Sequence, residues 1–589
     1  MRKNNTFRRA AALMAALSIT VSLAAPAFAD TYYIDYGDIT ITKNEDGSQT
    51  IKQGVEEWTD KAGEETVITT SNTVITTLES DLEGPAAEDS DFGPVVEDNY
   101  QSAQPEDAEE SEDADQPESA EEPKSADRQE SADQQAAPAA APAGSTPVNK
   151  KDDGFWGNTI TVINNIADKV LNLTLKDVKI DVSDTGDQYD WDQKGKAALS
   201  VQGKGNVEIE LDGDNELKSG TQSAGLEKTS TGTLTLKDDN NEAGSLTATG
   251  GFNSAGIGGG YLGDGKNITI TGGTVTATGG SSGAGIGGGR EGKGENITIT
   301  GGTVNATGNE DGAGIGGGSS GSGENITIND GKVTATGGSY AAGIGGGSVG
   351  FWGGESGSGK NITINGGTVN ATGTDGGAGI GGGENGNGED ITINGGKVNA
   401  SGAYGGAGIG GGVNGIGSKV TVSGAAQVTA TATGSGPDWS GVGTGATIGN
   451  GGSKTPDGPV DGKEIQADIS HLTTGYIHHI IYNPDLDSDG KPDGILKEWW
   501  EFALPKPIPD GESLDLHVET LKGAPLLFNT RQQGSTLRVT TDNLSARLHG
   551  TRQALETLQE QGVEQIQFVT TLKTTTLPVE DLLAEGGSW

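Results

Sequence analysis

Asn267-Ile268-Thr269-Ile270-Thr271-Gly272-Gly273-Thr274-Val275-Thr276-Ala277-Thr278 is followed, six residues on, by Ala284-Gly285-Ile286-Gly287-Gly288-Gly289. The opening Asn-Ile-Thr-Ile returns at Asn296, Asn325 and Asn361. It becomes Asp390-Ile391-Thr392-Ile393 and closes as Lys419-Val420-Thr421-Val422, at spacings of 29, 29, 36, 29 and 29 residues. The third segment sets isoleucine at Ile257, Ile286, Ile315, Ile344, Ile380 and Ile409. Each unit therefore holds three short segments punctuated by glycine. Apolar residues alternate with Thr and Asn at period two, the signature of strands. A helical reading fails, because glycine and β-branched residues dominate and the apolar period is two. A fixed period of about 29 residues points to a solenoid in which each coil stacks on the next. We expect an all-β right-handed parallel β-helix over 154–459, with Ile, Val and Ala inward and Thr and Asn outward.

Outward from the repeat, the chain changes character several times. Arg2, Lys3, Arg8 and Arg9 precede an apolar run from Ala10 to Ala25, and Ala27-Phe28-Ala29 stands before Asp30. That order reads as a signal peptide over 1–29, so the mature protein is expected to be secreted. No later stretch reaches the roughly 18 apolar residues of a membrane helix. Residues 30–82 carry strand patterns such as Asp38-Ile39-Thr40-Ile41-Thr42. A lone coil buries little, so these strands are expected to form the first coils or the cap of the same β-helix. Between Glu88 and Asp133 there are 18 acidic residues and two basic ones, Lys124 and Arg128. Such composition cannot offset its ordering entropy, and 83–153 reads as an acidic disordered insert or linker. Residues 460–589 hold all five histidines. There, Leu537-Arg538-Val539-Thr540 and Gln565-Ile566-Gln567-Phe568-Val569 read as strands. Thr551–Gln561 reads as an amphipathic helix and Val579–Leu583 as a short last one. This suggests a small α/β domain that also covers the open end of the β-helix.

Composition excludes several chemistries. Cysteine is absent, which removes thiol catalysis, disulfides and Cys-based zinc sites. A formal charge of −45 disfavours nucleic acid as a partner. The Ala-Gly-Ile-Gly-Gly-Gly segments resemble phosphate loops only superficially, because no helix follows them. No histidine precedes residue 471 and Arg290 is the only arginine of the repeats, so no catalytic residue is singled out.

Three stretches carry ligand chemistry. Asp485-Leu486-Asp487-Ser488-Asp489-Gly490-Lys491-Pro492-Asp493 places carboxylates at loop positions 1, 3, 5 and 9 and glycine at 6, fitting an oxygen cage for calcium. Asp485, Asp487, Asp489, Lys491 and Asp493 are its candidate residues. Leu496 stands where an EF-hand has glutamate, and Glu498 is a substitute. The one long coil carries seven extra residues around 348–355, including Phe351 and Trp352. An aromatic pair on a turn is a way to stack sugar rings. Tyr189 and Trp191 sit among Asp187, Asp190 and Asp192 and form a second carbohydrate candidate. For each, the plainer reading is a solvated turn or a ring packed on its own loop.

The Ala-Gly-Ile-Gly-Gly-Gly and Asn-Ile-Thr-Ile units resemble those of secreted bacterial carbohydrate-binding β-helix proteins, which share the pectate-lyase-like solenoid. The resemblance covers about 155–450 and extends to 30–82. It implies an adhesin-like surface protein whose partner is a polysaccharide or glycan, with association to the cell wall. The alternatives are a polysaccharide lyase or glycoside hydrolase on the same fold, and a structural stalk. Pectate lyases use calcium-binding aspartates and a basic residue on one sheet, and no such column stands in these repeats. Binding rather than catalysis is the expectation.

Overall fold

Inward Ile and Val in every coil, and glycine wherever the chain turns, leave one arrangement in which no apolar column faces water. The computed structural model describes residues 30–70, 147–434, 441–484, 494–502 and 516–584, apart from Asp152, Trp191, Asn241, 350–354 and Leu527. From Ile160 to Thr433 these residues form a parallel β-helix. Each repeat contributes strands such as Gly265–Ile270, Thr274–Thr278 and Ile286–Gly287. The short Ile-Gly strands stack in parallel, Ile257 on Ile286, then Ile315, Ile344, Ile380, Ile409 and Ile448. A second column runs Ile268–Ile297–Ile326–Ile362–Ile391–Val420, and a third Val275–Val304–Val333–Val369–Val398–Val428. All are buried. Burying one such side chain is worth about 1.5–3 kcal/mol, a gain each coil realises only between two neighbours.

Asparagine behaves differently from the outward strand position expected for it. The strand register passes from Lys266↔Glu295 directly to Ile268↔Ile297 and skips Asn267. Asn267, Asn296, Asn325 and Asn361 take φ values of 57°, 56°, 56° and 54°. Asparagine tolerates this left-handed conformation better than most residues. The bend stacks the side-chain amides into a ladder, with bonds of 3.0, 3.2 and 3.1 Å from each coil to the one before. The seven-residue insertion lies between Gly347 and Gly357, whose amide bonds back to the Gly347 carbonyl at 3.1 Å. Ile344↔Ile380 therefore stacks without a break.

At the N-terminal end, Ile39–Lys43 pairs in parallel with Ile160–Asn164, and Ile39 heads the column Ile160–Leu199–Leu226–Ile257. Thr66–Thr69 pairs in parallel with both Asp30–Tyr33 and Val170–Lys176. The strands Gln49–Gln53 and Glu56–Asp60 then fold back antiparallel over this end. Reversed direction and charged side chains such as Lys52 and Glu57 discourage edge pairing with another chain.

The compositional boundary at 459/460 does not coincide with the end of parallel stacking. Tyr476–Tyr482 pairs in parallel with Gln427–Thr433, placing Ile477 on Val428. Stacking continues because Ile477 repeats the inward apolar position. Ile495–Phe502 then returns antiparallel along this strand. Beyond residue 516, two small antiparallel or mixed sheets and the helices Arg552–Glu560 and Val579–Ala584 surround a separate apolar cluster that includes Val518, Leu537, Val539, Leu555, Leu558 and Ile566. Thr551 caps the first helix by accepting from the Ala554 amide. Among the described residues no helix is long and apolar enough to cross a membrane.

Candidate functional site

Strand alternation in Tyr476–Tyr482 and Ile495–Phe502 sorts their side chains onto two faces. Ile477 and His479 point toward the β-helix core and are buried. Tyr476 and His478 take the opposite face, and the register Tyr476↔Phe502 and His478↔Trp500 sets two more rings beside them. The His478 and Trp500 rings stack at 3.7 Å and 6°. Trp500 lies 6.0 Å from Phe502 with planes 4° apart, and 5.0 Å from Tyr476. Trp500 is 45% exposed and Phe502 38%. Four rings on one sheet face, two of them strongly exposed, form an apolar strip with polar tips, the kind of surface that accepts the C–H face of a sugar. Glu498 Oε1 lies 2.6 Å from His478 Nε2 and adds a hydrogen-bonding carboxylate at the edge of the strip.

The face beneath anchors the strip. Trp499 stacks on His479 at 4.5 Å and 7°. Thr447 Oγ1 lies 2.6 Å from His479 Nδ1 and bridges to Glu464 at 3.0 Å. Burial, aided by the neighbouring His478 and Lys497, pushes the His479 imidazole down to about 4, so the ring is neutral. Burial raises the Glu464 carboxyl despite the Thr447 and Ile448 amides, and also that of Glu501, whose Oε1 lies 3.6 Å from His479 Nε2. These contacts hold the hairpin in place against the last coils.

A second feature lies on the long sheet near the N-terminal end. A cavity of about 360 Å³ is lined by Glu64, Glu65, Glu208, Glu210, Lys237 and Asp239, among others. Glu208 and Glu210 face it because Val207 and Ile209 alternate inward. The Glu210 carboxyl is raised, mainly by burial and then by Asp239. Its Oε1 accepts from the Asp239 amide at 2.9 Å. Lys237 pairs with Glu210 and Asp239 at 3.3 and 3.2 Å. Burial alone would lower the lysine, but these carboxylates raise it on balance, so it is held protonated and is a poor general base.

Of the residues expected from sequence to bind ligands, only Tyr189 and the substitute Glu498 fall among the described residues. Asp485, Asp487, Asp489, Lys491 and Asp493 lie outside the described residues, as do Phe351, Trp352 and Trp191. Tyr189 is described and is 85% exposed. Its turn is held by Asp187, which accepts from the Tyr189 amide at 2.9 Å. Glu498, the substitute calcium ligand, lies 2.6 Å from His478 Nε2 through its Oε1. The flanks of the calcium-type segment are pinned, since the Asn483 amide donates to the Gly494 carbonyl at 2.9 Å. That segment thus joins the two strands that carry the aromatic strip. Tyr476, His478, Trp500 and Phe502 were missed from sequence, although their alternation with Ile477, His479, Trp499 and Glu501 was a usable signal.

The family model for the β-helix repeat matches residues 242–261, 268–290, 297–319, 326–348, 362–384 and 391–413. These are the coils whose ladders are described above, and the chain is similar to that family there. No curated protein and no solved structure matches the chain. Fold and repeat together define a parallel β-helix protein.

Proposed function

We propose that this is a secreted, adhesin-like protein that binds a polysaccharide or other glycan at a bacterial cell surface. The exposed ring strip of Tyr476, His478, Trp500 and Phe502 carries this reading. Rings held at fixed spacing on paired strands lose little entropy on binding, as a rigid sugar platform requires. The calcium-type loop Asp485–Asp493 joins the same two strands, and calcium held there would fix the hairpin against the coil. Secretion rests on the signal-like residues 1–29, and exclusion of nucleic acid on the charge of −45. The expected assay result is retention of a subset of sugars by the full chain on a glycan array, with Trp500→Ala losing them. Binding that survives Trp500→Ala together with Phe502→Ala would refute the assignment of the site.

One observation favours a second reading. Glu208 and the buried Glu210 share a cavity with Asp239, and carboxylates in distinct environments are the elements of acid–base glycoside cleavage. Reducing-end release from array-positive polysaccharides, abolished in Glu210→Gln, would establish a hydrolase. Binding without release leaves the protein a binder. A stalk would show neither.

A further inference from the structure

We infer that the sheet after residue 516 carries a transition-metal site formed by His517, Glu519 and His549, separate from the calcium-type loop and independent of the glycan reading. Leu516-His517-Val518-Glu519 alternates, and Val518 points into the C-terminal apolar cluster. His517 and Glu519 therefore share the other face. The antiparallel partner Arg547–Gly550 pairs His517↔His549 and Val518↔Leu548. Leu548 enters the same cluster, which turns His549 to the face of His517 and Glu519. One donor atom from each of the three lies within 4.8 Å of the others. His549 Nε2 is 2.9 Å from Glu519 Oε1, and the two imidazoles stack with centroids 4.9 Å apart.

The donor set selects the ion. Two imidazole nitrogens and one carboxylate suit Zn²⁺ and its neighbours, whereas calcium prefers oxygen alone. Ligands about 2.0–2.1 Å from a tetrahedral ion stand roughly 3.4 Å apart. Donors now within 4.8 Å need close by little more than an ångström, which side-chain rotation supplies while the paired backbone stays fixed. Three protein ligands leave the fourth position on the side of the exposed His517, open to water or to a donor from a bound molecule. One neighbour opposes the ion. Arg547 Nη1 lies 3.9 Å from Glu519 Oε1, but the arginine side chain is 56% exposed and can turn away.

The test uses untagged full-length protein, stripped with chelator and titrated calorimetrically with Zn²⁺, then with Co²⁺ followed by its visible absorption. The expected result is one zinc equivalent bound in the presence of excess calcium, with a Co²⁺ spectrum of low coordination number. His517→Gln, at an exposed position, and His549→Gln each weaken zinc by at least about tenfold. Arg547→Ala tightens it, a gain that mere loss of folding cannot mimic. Circular dichroism of each variant separates a lost ligand from a lost fold. The inference is overturned if wild type and His517→Gln bind zinc alike, if calcium displaces the zinc, or if Arg547→Ala leaves the affinity unchanged.

Discussion

Replacing Gly316 by alanine tests why the coil carries Ala-Gly-Ile-Gly-Gly-Gly. Gly316 has φ +140°, and the equivalent Gly287 and Gly345 have +138° and +134°. A Cβ added at Gly316 would stand 1.9 Å from the Gly345 carbonyl oxygen of the next coil and 2.9 Å from its carbon. Neither atom can rotate away, because that oxygen already accepts the Gly317 amide at 3.0 Å. Relief requires the coils to separate by about 1 Å from a stacking distance of roughly 4.8 Å. The backbone conformation itself costs about 1–3 kcal/mol for a residue with a side chain. The coil-to-coil bonds Gly317–Gly345 and Ile315–Gly343, both 3.0 Å, are each worth about 1 kcal/mol. Together G316A should destabilise this junction by about 3–5 kcal/mol. Solenoids open locally, so the assay is native-state hydrogen exchange of the amides between 315 and 345. At about 1.4 kcal/mol per tenfold, their exchange should accelerate by roughly two to three and a half orders of magnitude. G54A is the control: Gly54 also has positive φ, +61°, but no atom within 4 Å of the added Cβ, and should cost about 1 kcal/mol. Exchange in G316A within threefold of wild type would refute the packing role of the glycine column.

Trp500→Ala should weaken glycan retention by roughly 5–30-fold, about 1–2 kcal/mol of lost stacking, while the melting temperature stays within a few degrees because the ring is 45% exposed; equal losses of binding and stability would return the ring to a packing role. His479 is folded as the neutral ring, with its imidazole lowered to about 4 against an ordinary value near 6.5, so its contribution is fully present above about pH 6.5 and is lost as pH falls toward 4. The loss is at most about 3 kcal/mol, partly offset by proton uptake at the raised Glu464 and Glu501; melts across this range should show a smaller acid loss in His479→Gln, and identical pH profiles would refute it. Calcium added to chelated full-length protein should raise its melting temperature through the Asp485–Asp493 loop, and Asp487→Asn should remove the effect. A protease site engineered between Ser71 and Thr146 should yield an N-terminal fragment that includes residues 30–70 and stays bound through Ile39–Lys43 and Thr66–Thr69, and its release on gel filtration would contradict the pairing.

The β-helix was legible because its contacts repeat. Ile286 meets Ile315 at a separation of one period, and the same apolar, glycine and threonine types return at each step, so one coil read correctly reads the others. The bend at Asn267 was already half visible as a recurring Asn, but only the backbone shows that it leaves the strand register to form a ladder. Both candidate sites were hidden for a different reason. Tyr476 meets Phe502, and His517 meets His549, through antiparallel registers that occur once each and depend on how the intervening chain closes. Period-two alternation tells which residues share a face of one strand, not which strand lies beside it or at what offset. The repeating sequence by itself determined the solenoid and its inward columns. Tertiary structure alone decided that stacking runs on to Tyr482, that four rings converge on one hairpin, and that two histidines and a glutamate meet, because each needs a unique long-range register that no repetition announces.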